Sequence, residues 1–197
     1  MTPEQILSIK PKVLTQKQRE YYFENGYLLL EKFLPDSWIE RLRATTNEMV
    51  DRSRSVTKSD AVWDLDKGHT AEQPRLRRLS SMNDHHPIFW EYASALHSPL
   101  PDAICDLVGP DVKFHHSKLN FKWSKGGDEV KWHQDISFWP HTNYSPAPPA
   151  RTCTTATPSR ARWGSCVAVT MARWWTNTMP RASGLAASSR KTPRPLT

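Results

Sequence analysis

The segment EVKWHQDISFWP, residues 129–140, decides how the rest of the chain is interpreted. It places His133 and Asp135 two positions apart in a run of aromatic and β-branched residues, which is typical of a strand. Side chains at i and i+2 of a strand point to the same face, so both can reach one ion. A His-x-Asp tripeptide alone is more often a polar pair at a strand end than a metal site. The surrounding sequence must therefore decide between the two interpretations.

The charge of the chain is unevenly distributed. The 197 residues carry a net charge of +7, but residues 149–197 hold seven arginines, one lysine and no Asp or Glu. Residues 1–148 hold 19 basic and 20 acidic side chains and are close to neutral. The overall basicity is therefore no argument for a nucleic-acid partner of the first three quarters of the chain.

Several protein classes are disfavoured by composition. No apolar run approaches the ~18 residues of a membrane span, and the N-terminal MTPEQILSIKPKVL lacks the apolar centre of a signal peptide. Cys105, Cys153 and Cys166 form no even, closely spaced disulfide framework. We therefore expect one main domain without a membrane span, in a reducing intracellular compartment, the cytoplasm.

The N-terminal part of the chain has clear helix and strand patterns. Thr15 is a suitable N-cap and Gly26 a suitable stop, which predicts a helix between them and a short buried strand at 27–30. The apolar spacing within 38–49 predicts an amphipathic helix that begins after Pro35.

The following patterns are shorter. Residues 52–76 are polar and predict a long loop, whereas 86–96 and 100–109 predict two short helices. Residues 111–123 and 129–139 predict two strands that the turn SKGGDE connects.

The composition changes at about residue 147. Residues 147–197 contain no acid and no sustained periodicity, which predicts a basic, disordered tail. Three tryptophans at 163, 174 and 175 are unusual for such a tail. The abundant Arg, Ala, Pro and Trp have GC-rich codons, and a reading shifted by one base restores acidic and periodic apolar residues. We therefore predict that the tail is out of frame.

Two segments, taken together and in this order, resemble the phytanoyl-CoA dioxygenase family of Fe(II)/2-oxoglutarate oxygenases. LTQKQREYYFENGYLLLEKFLP, residues 14–35, resembles the N-terminal helix and strand of the family. KLNFKWSKGGDEVKWHQDISFWP, residues 118–140, resembles its iron-binding strand pair, with W-H-Q-D at the metal. The resemblance covers about residues 15–146, so we identify 1–146 as the N-terminal part of such a domain.

The resemblance implies an α+β fold. Its core would be a double-stranded β-helix, a jelly-roll-like barrel, packed by helices from the N-terminal half of the chain. Because residues 147–197 do not continue the pattern, we expect the second half of the barrel to be missing.

The resemblance also implies a ligand set. His133 and Asp135 would be iron ligands, and Gln134 would point away from the metal. Lys118 and Arg77 would contact 2-oxoglutarate, since an always-charged arginine suits a carboxylate. The alternative is that Lys118 lies on a solvated strand face and Arg77 in a charged loop.

The third iron ligand is missing from the chain as written. In the family it lies in a Gly-Ser-His segment, followed by an arginine that binds 2-oxoglutarate. No histidine follows His141, and only the shifted frame permits a Gly-Ser-His segment, at 168–171. The adjacent pairs His85–His86 and His115–His116 are interpreted as structural.

The implied activity is that of an Fe(II)- and 2-oxoglutarate-dependent dioxygenase. It would use O2 to hydroxylate a small organic or acyl substrate while 2-oxoglutarate becomes succinate and CO2. Related halogenases replace the carboxylate ligand, so Asp135 favours hydroxylation. Because two ligands hold Fe(II) weakly, we predict that the chain as written is inactive.

Two other functions remain open at this point. One is a catalytically dead relative that binds a ligand but no iron. The other is a nucleic-acid-binding protein, since clustered arginines and aromatics in the tail can bind single strands by charge and stacking. We expect a small-molecule or acyl substrate as the partner and no nucleic acid.

Overall fold

The computed structural model describes residues 1–123, 147, 149–150 and 166–170, with the backbone alone at 150 and 166–170. Within these residues the elements follow in the order α1 (Pro3–Ser8), α2 (Gln16–Asn25), β1 (Tyr27–Glu31), α3 (Asp36–Arg52), β2 (Trp63–Leu65), β3 (Leu76–Ser80), α4 (Pro87–Ala93), α5 (Leu100–Val108), β4 (Lys118–Asn120), β5 (Pro149–Ala150) and β6 (Cys166–Thr170). Short 3-10 turns lie at Ser53–Ser55 and Met82–Asp84.

Helices α1 and α2 begin with the same local device. Thr2 and Thr15 each accept a hydrogen bond from the backbone N–H three residues later, and the glutamines there, Gln5 and Gln18, accept one in return. These capping boxes satisfy N–H groups that have no partner inside the helix. Helix α2 ends at Gly26, which adopts the left-handed conformation with φ of 77°. The predicted first helix is confirmed.

The other predicted helices are confirmed as well. Helix α3 buries Trp38, Leu42 and Met49 on one face, as their spacing predicts. Helices α4 and α5 lie inside the predicted ranges 86–96 and 100–109. None of the helices in the described part of the chain is long and apolar enough to cross a lipid bilayer.

The prediction of a loop throughout 52–76 is wrong, because strand β2 lies inside it. The cause is a local turn at Asp60, whose carboxylate accepts the backbone N–H groups of Val62 and Trp63 at 2.8 and 2.7 Å. These hydrogen bonds lower the pKa of Asp60. The predicted strand at 111–123 is also shorter, since β4 spans Lys118–Asn120; the predicted strand at 129–139 lies outside the described residues.

The strands form two antiparallel sheets. In one, β3 lies between β2 and β4, and Leu79 is opposite Trp63 on one side and Leu119 on the other. In the other, β6 lies between β1 and β5, with Leu29 opposite Ala168. Strands β5 and β6 lie in the range 147–197, so these seven residues are paired where the sequence predicts disorder. For the rest of that range, disorder and a shifted frame stay predictions.

Two apolar clusters form the described core. The first joins α2, β1 and α5 and consists of Leu14, Tyr22, Leu28, Leu30, Leu100, Ala103 and Leu107. The second packs α3 and α4 onto one face of the sheet β2-β3-β4 and consists of Leu34, Trp38, Leu42, Met49, Leu79, Met82, Ile88 and Phe89. The helices therefore occupy one side of this sheet.

A buried polar network fastens the N-terminal segment to α5. The Asp106 carboxylate, on a residue 5% exposed, accepts the backbone N–H groups of residues 12–14 at 2.8 to 2.9 Å. Arg19, which is 1% exposed, donates through Nε to the backbone carbonyl of Asp106 at 3.0 Å and through its other nitrogens to the carbonyls of Ile6 and Ile9. The network thereby satisfies several buried hydrogen-bond donors and acceptors.

We predict that Asp106→Asn lowers the free energy of unfolding by at least about 2 kcal/mol, because it leaves buried N–H groups without an acceptor. Urea unfolding of the full chain measures this. The matched control is Asp102→Asn on the same helix, whose carboxylate meets Lys12 at the surface, where water screens the pair. Equal losses in the two variants would contradict the importance of the Asp106 network.

We predict that Tyr22→Phe leaves stability unchanged or raises it slightly. The Tyr22 side chain is fully buried, its hydroxyl has no partner among the described residues, and burial raises the pKa of this phenol. The control, Tyr21→Phe, removes a 2.7 Å hydrogen bond to the Tyr27 hydroxyl and should cost about 1 kcal/mol. Thermal unfolding compares both; a large loss for Tyr22→Phe alone would show that its hydroxyl is bonded.

Candidate functional site

The structure describes two of the four residues that the sequence selects for the site. Arg77 lies on β3 and Lys118 begins β4, the neighbouring strand. His133 and Asp135 lie outside the described residues, as does His141. The described part of the candidate site lies on the sheet β2-β3-β4.

A β-bulge occurs at Arg77. Asp64 on β2 is opposite Arg78, and the next residue, Leu65, is opposite Leu76, so Arg77 is an extra residue in β3. A bulge interrupts the strict alternation of side chains and re-aims them. As a result, Leu76 and Leu79 are both fully buried although they are three positions apart.

The Arg77 guanidinium lies on the side of the sheet that the helices do not cover. Its Nη2 donates to the Oδ2 atom of Asp64. Asp64 follows Trp63, which packs against the helix-covered cluster, so strand alternation places Asp64 on the opposite face. The side chains of Arg77 and Asp64 remain 41% and 25% exposed, so the ion pair orients the guanidinium more than it stabilises the fold.

Lys118 lies on the same face. It is opposite Ser80, which alternates with the buried Leu79 and therefore points away from the helices. Exposure alternates along the chain here, since Lys118, Asn120 and Lys122 are exposed and the odd-numbered neighbours are partly buried. The two predicted 2-oxoglutarate contacts thus share one face of one sheet.

Trp123 anchors the chain just before the segment that carries His133 and Asp135. Its indole Nε1–H donates to the carbonyl of Leu76 at 2.8 Å, and its ring stacks on Phe121 with planes 9° apart. The Arg75 guanidinium lies 5.3 Å from the centre of the Trp123 ring and is paired with Asp66 at 3.4 Å. The backbone at 123 is therefore tied to β3.

The described histidines are placed differently from one another. His86 caps α4 through Nδ1, which accepts the Ile88 N–H at 3.2 Å, in agreement with a structural role. His115 and His116 precede β4 and are both exposed, so they lie outside the strand, although the predicted strand at 111–123 included them. Within the described residues no three His, Cys, Asp or Glu side chains are grouped so that they can hold a metal ion.

Sequence reasoning missed three of these features: the bulge, the partner Asp64, and the anchor Trp123. A signal for the bulge exists in the segment RLRRLSS, where two leucines flank two arginines. A strand that alternates strictly cannot bury both leucines on one face. The partners of Arg77 and Trp123 are distant in sequence and leave no local signal.

Comparison with known proteins gives the family. A profile of the family described as phytanoyl-CoA dioxygenase (PhyH) matches residues 22–161, a range that extends past residue 147. A protein of Stutzerimonas stutzeri, named as a probable alpha-ketoglutarate-dependent hypophosphite dioxygenase, is 27% identical over 133 residues, 66% of this chain and 44% of that protein. The ectoine dioxygenase of Bordetella parapertussis is 26% identical over 141 residues, 71% of this chain and 43% of that protein.

A solved structure shows the same fold. The crystal structure of EctD from S. alaskensis with bound Fe has a TM-score of 0.56 and 20% sequence identity, and the match covers 71% of this chain and 47% of that one. The predicted α+β oxygenase fold is therefore confirmed at this level, while a missing second half of the barrel stays a prediction.

The chain spans less than half the length of the curated relatives that it matches. The profile nevertheless covers most of this chain, and its range includes residues 22–35 of the first segment that carries the resemblance and all of the second. The protein belongs to the phytanoyl-CoA dioxygenase (PhyH) family.

Proposed function

We propose that this protein, in its corrected reading frame, is an Fe(II)- and 2-oxoglutarate-dependent dioxygenase that hydroxylates a small organic or acyl substrate. The observation that carries the proposal is the profile match, whose range includes the W-H-Q-D segment at 132–135. Two further findings support it: one relative is named as alpha-ketoglutarate-dependent, and the EctD structure holds Fe.

His133 and Asp135 would hold the iron. An imidazole and a carboxylate are two of the three ligands of the facial triad in non-haem Fe(II) oxygenases. Bound iron with 2-oxoglutarate would supply the oxidising chemistry that hydroxylates a C–H bond, and the protein would supply position and a shaped pocket. A reducing intracellular compartment, which we propose for this protein, would keep the iron ferrous.

Arg77 and Lys118 would bind the carboxylates of 2-oxoglutarate. The Arg77 guanidinium is oriented by Asp64, and 41% of its side-chain surface is exposed. A guanidinium donates a fork of N–H groups whose geometry matches a carboxylate, and Lys118 adds a point charge on the same face. The bulge supports a joint role of the two residues, because it turns Arg77 to the face of the sheet on which Lys118 lies.

The relatives suggest the size of the substrate. Hypophosphite and ectoine, the compounds in the names of the relatives, are both small. We therefore favour a small molecule over an acyl thioester. The nucleic-acid alternative depends on the arginines and tryptophans of the tail, and the shifted frame would account for that composition without a function.

The chain as written would lack activity. It has no histidine after His141 to complete the triad, and the 2-oxoglutarate arginine of the family would lie in the same shifted segment. A catalytically dead relative would have the same two ligands, so the distinction depends on the true reading frame.

We predict that His133→Ala and Asp135→Ala each weaken divalent-metal binding by the full chain, because each removes one of two ligands. Mn(II) binding, followed by the loss of its free EPR signal, measures this without catalysis. His115→Ala, an exposed histidine upstream of β4, is the matched control and should bind Mn(II) like the unaltered chain. Binding that is insensitive to both ligand variants would refute the assignment.

The decisive experiment on function is sequencing of the transcript across codons 140–180. We expect a one-base insertion or deletion near codon 147, and we expect the corrected protein to release succinate from 2-oxoglutarate with Fe(II) and O2. The chain as written should release none above the His133→Ala background. A transcript that encodes the tail as written would refute the frame shift and favour the catalytically dead relative.

A further inference from the structure

The segment that follows β4 binds the β-bulge at Arg77. A bulge disrupts the regular ladder, so the backbone groups around the extra residue need partners elsewhere. The Phe121 N–H donates to the Arg77 carbonyl at 3.0 Å, and the Trp123 indole Nε1–H donates to the Leu76 carbonyl at 2.8 Å. Residues 121–123 therefore hold both peptide groups that join Arg77 to its neighbours.

These two hydrogen bonds determine where the Arg77 side chain points. Each peptide group is planar, so the direction of the Cα–Cβ bond of Arg77 depends on the orientation of the two planes that flank it. One hydrogen bond fixes the carbonyl of each plane, and the Asp64 carboxylate orients the guanidinium at the other end of the side chain. Only the bond from Trp123 is made by a side chain on the β4 side, so a substitution can remove it.

The Trp123 ring is itself held in place against β3. It stacks on Phe121 with ring centres 6.0 Å apart, and the Arg75 guanidinium lies 5.3 Å from its centre. Arg75 and Leu76 are consecutive, so the ring packs against β3 at the point where its N–H donates. An indole has one N–H donor and no acceptor, so its hydrogen bond to the Leu76 carbonyl is defined by the position of the ring.

We propose that Trp123 is a positioning residue of the 2-oxoglutarate site, because its bond to Leu76 holds the bulge that turns Arg77 to the face on which Lys118 lies. In a strand without the bulge, Arg77 would share the face of Leu79, which the helices cover. The inference rests on the proposed dioxygenase function and deepens it. Trp123 acts through Arg77 and needs no contact with 2-oxoglutarate.

The test is a calorimetric titration of the full chain with 2-oxoglutarate in the presence of Mn(II). Trp123→Phe keeps an aromatic ring for stacking and removes the N–H. We expect it to weaken 2-oxoglutarate binding about fivefold, the equivalent of one neutral hydrogen bond. Trp90→Phe, the same substitution at an exposed residue of α4, is the matched control and should leave binding unchanged.

A double-mutant cycle separates positioning from a general structural effect. Arg77→Gln should weaken 2-oxoglutarate binding about tenfold, because it removes a charge-assisted hydrogen bond. When Arg77 is already Gln, Trp123→Phe should cause no further loss, since the two residues act as one unit. A merely structural role of Trp123 would weaken binding by the same factor in both backgrounds.

An NMR measurement on the unaltered chain tests the hydrogen bond without any variant. The indole N–H of Trp123 should exchange with D2O more slowly than that of the exposed Trp90. Equal exchange rates would show that the bond to the Leu76 carbonyl is absent and would overturn the inference even if Trp123→Phe does not fold.

The outcomes also separate this inference from the proposed function. Unchanged 2-oxoglutarate binding by Trp123→Phe, or the same loss with and without Arg77, would refute the role of Trp123 while Arg77 keeps its own. If Arg77→Gln binds 2-oxoglutarate normally, or if the unaltered chain binds none, the proposed role of Arg77 is wrong and the inference fails with it.

Discussion

The burial of Leu76 and Leu79 on the same face of one strand is the constraint on which the site depends. Both side chains are fully buried, and a strand with strict alternation would turn one of them to the opposite face. The extra residue at Arg77 resolves the conflict, because it lets both leucines face the core and turns two consecutive arginines away from it. Packing of the core thereby decides on which face of the sheet Arg77 lies.

The helices cover one face of the sheet β2-β3-β4 and leave the described candidate site residues on the other. Helices α3 and α4 cover the apolar face of the sheet β2-β3-β4, and Arg77 and Lys118 lie on the opposite face. The likeness to the Fe-containing EctD structure supports an oxygenase fold for this arrangement. A helix-backed sheet is a suitable support for the side chains that we propose bind 2-oxoglutarate.

A second constraint is the buried polar network that joins the N-terminal segment to α5. Arg19 and Asp106 are buried polar residues that do not pair with each other through their side chains; each instead satisfies backbone groups of the other segment or of the N-terminus. Burial of such groups is tolerated only when their hydrogen bonds are complete. The network therefore holds α1 and α2 against α5. Helices α2 and α5 both contribute residues to the first apolar cluster.

The sequence alone determined helices α2 to α5 and the family. Helix α2 could be predicted from Thr15 and Gly26, and α3 from its apolar spacing, because caps and periodicity are local properties. The His-x-Asp segment and its neighbours predicted the family, which the profile match confirms. The ligand roles of His133 and Asp135 stay predictions.

Only the tertiary structure decided how the site is arranged. The pairing of Arg77 with Asp64 and the hydrogen bond of the Trp123 indole to the Leu76 carbonyl depend on contacts between segments, and no local pattern encodes them. The face on which a strand residue lies changes with a one-residue shift of register, which packing against the helices sets. For this reason the sequence indicated Arg77 and Lys118 as candidate site residues, but it did not indicate that they share one face of the sheet.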